Sequence, residues 1–161
     1  MRDIQEILVT HGVKCVDFGL ATPQVYLPDI RIDHFDCDNE LHEADAMMSN
    51  LNSEQRLAFD TIVEATNDTF NKSKCYFVDG PGWSGKTFLY TTLIRYFRGN
   101  GKSVFPAAST EIEANLLSGG RTIHSLYGLP IPLNETSISR IAMNSEAAKQ
   151  IKDAVLFIID E

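Results

Sequence analysis

The chain is poor in cysteine, in base and in long apolar runs, and each shortage excludes something. Its three cysteines, Cys15, Cys37 and Cys75, lie far apart with no C-x-x-C spacing, and an odd number cannot close an internal disulfide framework. Reduced thiols in a reducing compartment are expected. The longest strictly apolar run, Ala154 to Ile159, falls far short of the roughly 20 residues that span a bilayer. The start, Met1-Arg2-Asp3-Ile4-Gln5-Glu6, carries no apolar signal-like region. A soluble, intracellular protein is expected. Lys and Arg number 14 against 22 Asp and Glu, a net charge of −8. That field repels polyanions, so nucleic acid cannot be held by bulk charge and any contact with it must be local. What is present suffices for a fold: 161 residues, 43% of them hydrophobic, fit one globular domain and exclude wholesale disorder.

The acidity is unevenly placed. Residues 1–50 hold three bases, Arg2, Lys14 and Arg31, against ten acids, whereas residues 51–161 hold eleven against twelve. The first segment, with Pro23, Pro28 and a dense acidic stretch from Asp29 to Asp45, reads as a short helix followed by an extended, partly ordered connector. A domain boundary is therefore expected at residue 50. His34, Cys37 and His42 form H-x2-C-x4-H, but no second half of a zinc site follows and the surrounding acids suit a solvated segment.

From Leu51 the pattern is α/β. Asn52 or Ser53 can cap a helix whose apolar stripe is Phe59, Ile62, Val63 and Phe70. Cys75-Tyr76-Phe77-Val78 reads as a short buried strand, and Lys86 to Arg98 as a helix closed by Gly99-Asn100-Gly101. Ser103–Ala107 is a second strand candidate, followed by short helices near Glu111–Leu117 and Thr122–Tyr127. A helix over Ser137–Lys152 then leads into the apolar strand Ala154–Ile159. Strands alternating with helices predict a parallel sheet.

Gly80-Pro81-Gly82-Trp83-Ser84-Gly85-Lys86-Thr87 fits G-x-x-x-x-G-K-[ST], directly after a strand candidate and opening a helix. Glycines let backbone N–H groups turn inward around phosphates, and the helix amino terminus adds partial positive charge. Lys86 would reach the β- and γ-phosphates and the Thr87 hydroxyl would ligate Mg²⁺. At the other end an apolar strand delivers Asp160-Glu161, where Asp160 can position Mg²⁺ through water and Glu161 can polarise the attacking water. Hydrolysis of a nucleoside triphosphate is implied.

Six ordered segments carry a resemblance. They are Leu51-Asn52-Ser53-Glu54-Gln55-Arg56, Phe77-Val78-Asp79-Gly80-Pro81-Gly82, Gly85-Lys86-Thr87, Ala108-Ser109-Thr110, Gly119-Gly120-Arg121-Thr122-Ile123-His124-Ser125 and Ile159-Asp160-Glu161. In this order they resemble the amino-terminal motor half of the petite-integration-frequency (PIF) type DNA helicases. Val16-Asp17-Phe18-Gly19-Leu20-Ala21-Thr22-Pro23 is similar to the region preceding the motor in Helitron-transposon relatives.

The resemblance implies a RecA-like P-loop NTPase sheet with flanking helices, in a five-prime to three-prime helicase of superfamily 1B that uses ATP and Mg²⁺ on single-stranded DNA. It also implies roles in DNA repair, recombination and telomere maintenance, in the nucleus or alternatively in mitochondria. By position, residues 80–87 and Gln55 would bind the nucleotide, with Gln55 on the adenine edge. Lys86 and Glu161 would be catalytic and Thr87 and Asp160 would hold the metal. Thr110, Thr122 and His124 match segments that track DNA. An amide has both donor and acceptor for adenine, and hydroxyl and imidazole groups grip phosphates with little net charge.

Two departures stand out. Trp83 occupies a position where the family has glycine, and Glu111-Ile112-Glu113 replaces a Gly-Ile-Ala stretch, placing two acids beside the expected DNA track. The motif order also places the end of the chain inside the motor domain. In helicases of this type a later strand lies between the phosphate-loop strand and the strand ending in Asp160, so a gap in the sheet is expected. Two further readings compete: an ATP-binding remnant of a transposon-derived helicase that does no useful hydrolysis, and a small-molecule P-loop kinase. Gln55 and the Gly-Gly-x-Thr-x-His-Ser segment disfavour the kinase.

Overall fold

The computed structural model describes residues 15–19, 35–68 and 74–160. A single 3-10 turn, Cys15–Phe18, precedes six helices and three strands among these residues. The helices are α1 (Cys37–Met48), α2 (Ser53–Asn67), α3 (Lys86–Gly99), α4 (Glu111–Leu116), α5 (Ile123–Leu126) and α6 (Glu146–Asp153). The strands β1 (Val104–Ala108), β2 (Arg121–Thr122) and β3 (Leu156–Asp160) form one parallel sheet in the order β2-β1-β3. The fold is α/β, as expected, with helices flanking a parallel sheet.

Local chemistry starts most helices. Asp36 caps α1 by accepting from the Asp38 and Asn39 N–H groups, and Asp38 and Glu40 in the first turn suit the positive end of the helix dipole. Part of the acidic stretch expected to be an extended connector is therefore helical. Two features dock α1 on α3. Gly99 lets the backbones approach, since a Cβ there would lie 2.7 Å from the Leu41 nitrogen. Glu40, buried in the interface, meets Arg95 of α3 at 3.5 Å.

Helix α2 is capped by Asn52 and buries Phe59, Ile62 and Ala65. Val63 packs at the core's margin, while Phe70 lies outside the described residues. Against this stripe α3 presents Leu89, Leu93, Ile94 and Phe97, and the sheet contributes Val104 and Ile158. Edge-to-face contacts run from Phe59 to Tyr96 and from Tyr96 to Phe97. Strand β1, fully buried, is the centre of the sheet; β2 pairs only with Ala107 and Ala108, past Pro106, which has no N–H to donate.

Besides α1, three elements differ from the sequence expectation. Residues 75–78 form no strand: they are not part of the ladder, and Phe77 is 87% exposed. Apolar composition alone does not make a strand, because its backbone groups need a neighbour to bond. Strand β3 forms, but only Ile158 is fully buried. Ile159 is 56% exposed, and Phe157 is covered on one side by Phe105 at 5.8 Å between ring centres. Helix α6 starts at Glu146 rather than near Ser137. Asn134 accepts from the Thr136 and Ser137 hydroxyls, Ser139 donates its hydroxyl to the Tyr127 carbonyl, and helix begins only where Ser145 caps the Ala148 N–H. Hydroxyl side chains that bond nearby backbone compete with helix.

Candidate nucleotide site

The turn before α3 is built around Gly85, which caps the helix at φ 81° in the left-handed region. Helices α1, α2, α4, α5 and α6 are capped by side chains of Asp36, Asn52, Thr110, Thr122 and Ser145; α3 has no side-chain cap and no acid in its first turn. Its N–H groups and dipole thus face the loop without a competing anion. Trp83 also sits at positive φ, 71°, with its ring fully exposed. The tryptophan therefore adopts backbone geometry that suits glycine, and its ring points away from the protein.

Lys86 folds over the loop, its Nζ donating to the Gly80 carbonyl at 2.5 Å and to the Pro81 carbonyl at 3.3 Å. Ser84 Oγ is buried with no hydrogen-bond partner. A Cβ on Gly80 would come within 2.7 Å of that oxygen, and one on Gly85 within 2.5 Å of Gln55 Nε2. An orphaned hydroxyl, glycines that hold the turn open, an uncapped helix start and a lysine spanning the loop form a donor set that fits a polyphosphate.

The parallel register brings the other predicted residues to one edge. Ala108 pairs with Thr122 on one side and Asp160 on the other, so β1, β2 and β3 end together, and Ser109 N–H donates to the Asp160 carbonyl. Thr110 follows directly. Asp160 also acts on α3: burial first, and then the Asp160 carboxylate, push the Tyr90 hydroxyl above its ordinary value. Tyr90 is three residues past Thr87 and shares its face of the helix. The Asp160 carboxylate thus acts on the helix that carries Thr87 in its first turn. Glu161 lies outside the described residues.

Both predicted DNA-contact threonines serve as helix caps. The Thr110 hydroxyl is bound within a capping box to Glu113, and Thr122 Oγ1 accepts from Ser125 N–H. His124 is half-buried in α5, and its carbonyl accepts from the Leu129 N–H. Gln55 faces the phosphate loop, with Nε2 3.2 Å from the Ser84 carbonyl. Sequence reasoning missed Tyr90, which carries no motif, and it missed the reciprocal Asn52–Gln55 box, although an Asn followed three positions later by Gln is a legible signal.

Sheet, loop and helix together define a P-loop NTPase. A family model described as a PIF1-like helicase matches residues 50–161, more than half of the sequence. The chain belongs to the PIF1-like helicase family, which implies an ATPase that binds DNA. No curated protein matches closely enough to count as a relative. Among the described residues, no helix is long and apolar enough to cross a membrane.

Proposed function

We propose that residues 51–161 form the nucleotide-binding, DNA-tracking part of a five-prime to three-prime helicase motor, with residues 1–50 an acidic leader outside it. The observation that carries this reading is the loop itself: a helix start with no side-chain cap, Lys86 folded over the loop carbonyls and a buried Ser84 hydroxyl without a partner, a donor set that fits a polyphosphate. In this mechanism Lys86 leaves the Gly80 and Pro81 carbonyls to neutralise phosphate charge. Ser84 Oγ and the N–H groups of residues 80–87 orient the chain of phosphates. Thr87 and Asp160 would hold Mg²⁺, which when bound would supply charge neutralisation at the phosphates. Glu161 takes the proton of the attacking water. Thr110, Thr122 and His124 hold single-stranded DNA at the adjoining sheet edge. The role this reading carries is DNA repair, recombination and telomere maintenance, in the nucleus or alternatively in mitochondria.

The test is Mg-ATP binding and hydrolysis by this chain, with and without single-stranded DNA, beside Lys86→Ala. Loss of the lysine should weaken Mg-ATP binding by about tenfold or more. Equal binding by both proteins would refute the reading. A second reading, an ATP-binding remnant, is favoured by the capture of both threonines assigned to DNA, Thr110 and Thr122, as helix caps. It requires tight Mg-ATP binding with no DNA-stimulated turnover.

A further inference from the structure

We propose that Gln55 is a positioning residue that straps the phosphate loop to the start of α2, and that reading a nucleobase draws its amide off the loop. The inference rests on the nucleotide-site reading above and adds a regulated contact to it. Four hydrogen bonds carry it. Gln55 Oε1 accepts from the Asn52 N–H at 3.0 Å while Asn52 Oδ1 accepts from the Gln55 N–H at 2.9 Å, so the capping box fixes the side chain's direction. Nε2 then donates to the Ser84 carbonyl at 3.2 Å and the Gly85 carbonyl at 3.4 Å. Those two carbonyls form the joint between loop and helix, since Gly85 also accepts from Leu89 N–H at the start of α3. Any side chain at residue 85 would strike the amide, so Gly85 serves the strap as well as the turn.

An amide nitrogen has two protons to donate, and the two acceptors within its reach here are both loop carbonyls. The edge of adenine asks for one donor and one acceptor. Base reading therefore takes back at least one proton from the loop. The contacts given up are at or beyond the long end of the N–H···O range, which makes the exchange inexpensive. The base would thus be sensed through the geometry of the phosphate site rather than by affinity alone.

Trp83 is the sole tryptophan and lies two residues before Gly85, so its fluorescence anisotropy reports the loop. The probes are Mg-ATP and magnesium tripolyphosphate, which has no base, titrated against wild type and Gln55→Met. Methionine keeps the size and leaves Asn52's bond to the backbone N–H in place. The strap predicts lower Trp83 anisotropy in the ligand-free variant and roughly three- to tenfold weaker tripolyphosphate binding. Unchanged anisotropy and unchanged tripolyphosphate affinity, with only ATP weakened, would overturn it and leave Gln55 as a base reader alone. Gln55→Glu guards against a folding artefact. Its carboxylate keeps the acceptor half of the capping box but cannot donate to the loop, so its anisotropy must also fall, and a wild-type value overturns the proposal. Should wild type bind neither probe, the nucleotide reading fails, and the anisotropy of the two variants still decides the strap.

Discussion

Glu113 holds Thr110 through three hydrogen bonds: its Oε2 accepts from the Thr110 N–H at 3.2 Å and from the Thr110 hydroxyl at 2.8 Å, and its own N–H donates to Thr110 Oγ1 at 3.3 Å. The hydroxyl assigned to DNA is thereby committed to a carboxylate. A glutamate at the third helical position closes a capping box, and it brings a negative charge to the edge where phosphate is expected.

Glu113→Ala should therefore tighten single-stranded DNA binding, by about two- to fivefold at low salt and less at high salt, because it frees the hydroxyl and removes one repulsive charge. Losing half of a capping box should cost about 0.5–1 kcal/mol of stability. Glu111→Ala removes an equal charge from the same helix without touching Thr110. If the two variants gain affinity equally in a DNA-anisotropy titration, charge alone is responsible and the Thr110 contact is irrelevant.

Trp83→Gly should stabilise the protein by about 1 kcal/mol. A non-glycine residue in the left-handed region costs roughly 1–2 kcal/mol, and the added chain entropy of glycine returns part of the gain to the unfolded state. The exposed ring has no packing to lose. Trp83→Ala keeps the unfavourable φ and should show no such gain. The comparison requires only denaturant midpoints of three proteins.

How much of this was legible depended on how local the cause was. The turn at residues 80–87 and the start of α2 are set by residues within a few positions, so glycine spacing and a capping pair reveal them. The strand expected at residues 75–78 depended on a neighbour elsewhere in the chain, and an apolar tetrapeptide does not say whether one adjoins it. Helix α1 was hidden for the opposite reason. Its charges look solvated, yet Glu40 is buried against Arg95 and Gly99 admits its backbone, facts that exist only once α3 is in place. The shared edge of Thr110, Thr122 and Asp160 required the register of the sheet, which no motif contains.

Arg98 is the clearest case of such a non-local joint. Its Nη1 donates to the Ser118 carbonyl at 2.9 Å, its guanidinium lies 3.7 Å from the centre of the Phe35 ring, and Gly119, at φ 62°, leaves room for Nη2. It thus ties Phe35, two residues before α1, to the loop that leads into Thr122. Arg98→Ala should cost about 3 kcal/mol, from a buried charged hydrogen bond and a partly desolvated cation–π contact. Arg98→Lys should recover less than half, since an ammonium cannot stack flat on the ring while bonding Ser118. Urea unfolding measures both. A loss below about 1 kcal/mol in Arg98→Ala would mean that the leader helix is held by its packing on α3 alone.

Tyr90 provides a test of the metal site that needs no ligand. Its hydroxyl is raised above the unfolded value of about 10, by burial first and by the Asp160 carboxylate second. A group whose folded pKa is raised contributes stability that is complete below the unfolded pKa and is lost as pH climbs through the folded one. Wild type should therefore lose stability above about pH 10. Tyr90→Phe, which cannot ionise in either state, should lose less over the same range. Tyr127, raised by burial, keeps part of the slope in both proteins. Asp160→Asn should lower the Tyr90 value, seen as phenolate absorbance appearing at lower pH, but only partly, because burial remains. If that substitution leaves the titration of Tyr90 unmoved, the carboxylate does not bear on the face of α3 that begins at Thr87, and the pairing of Thr87 with Asp160 around Mg²⁺ has no basis.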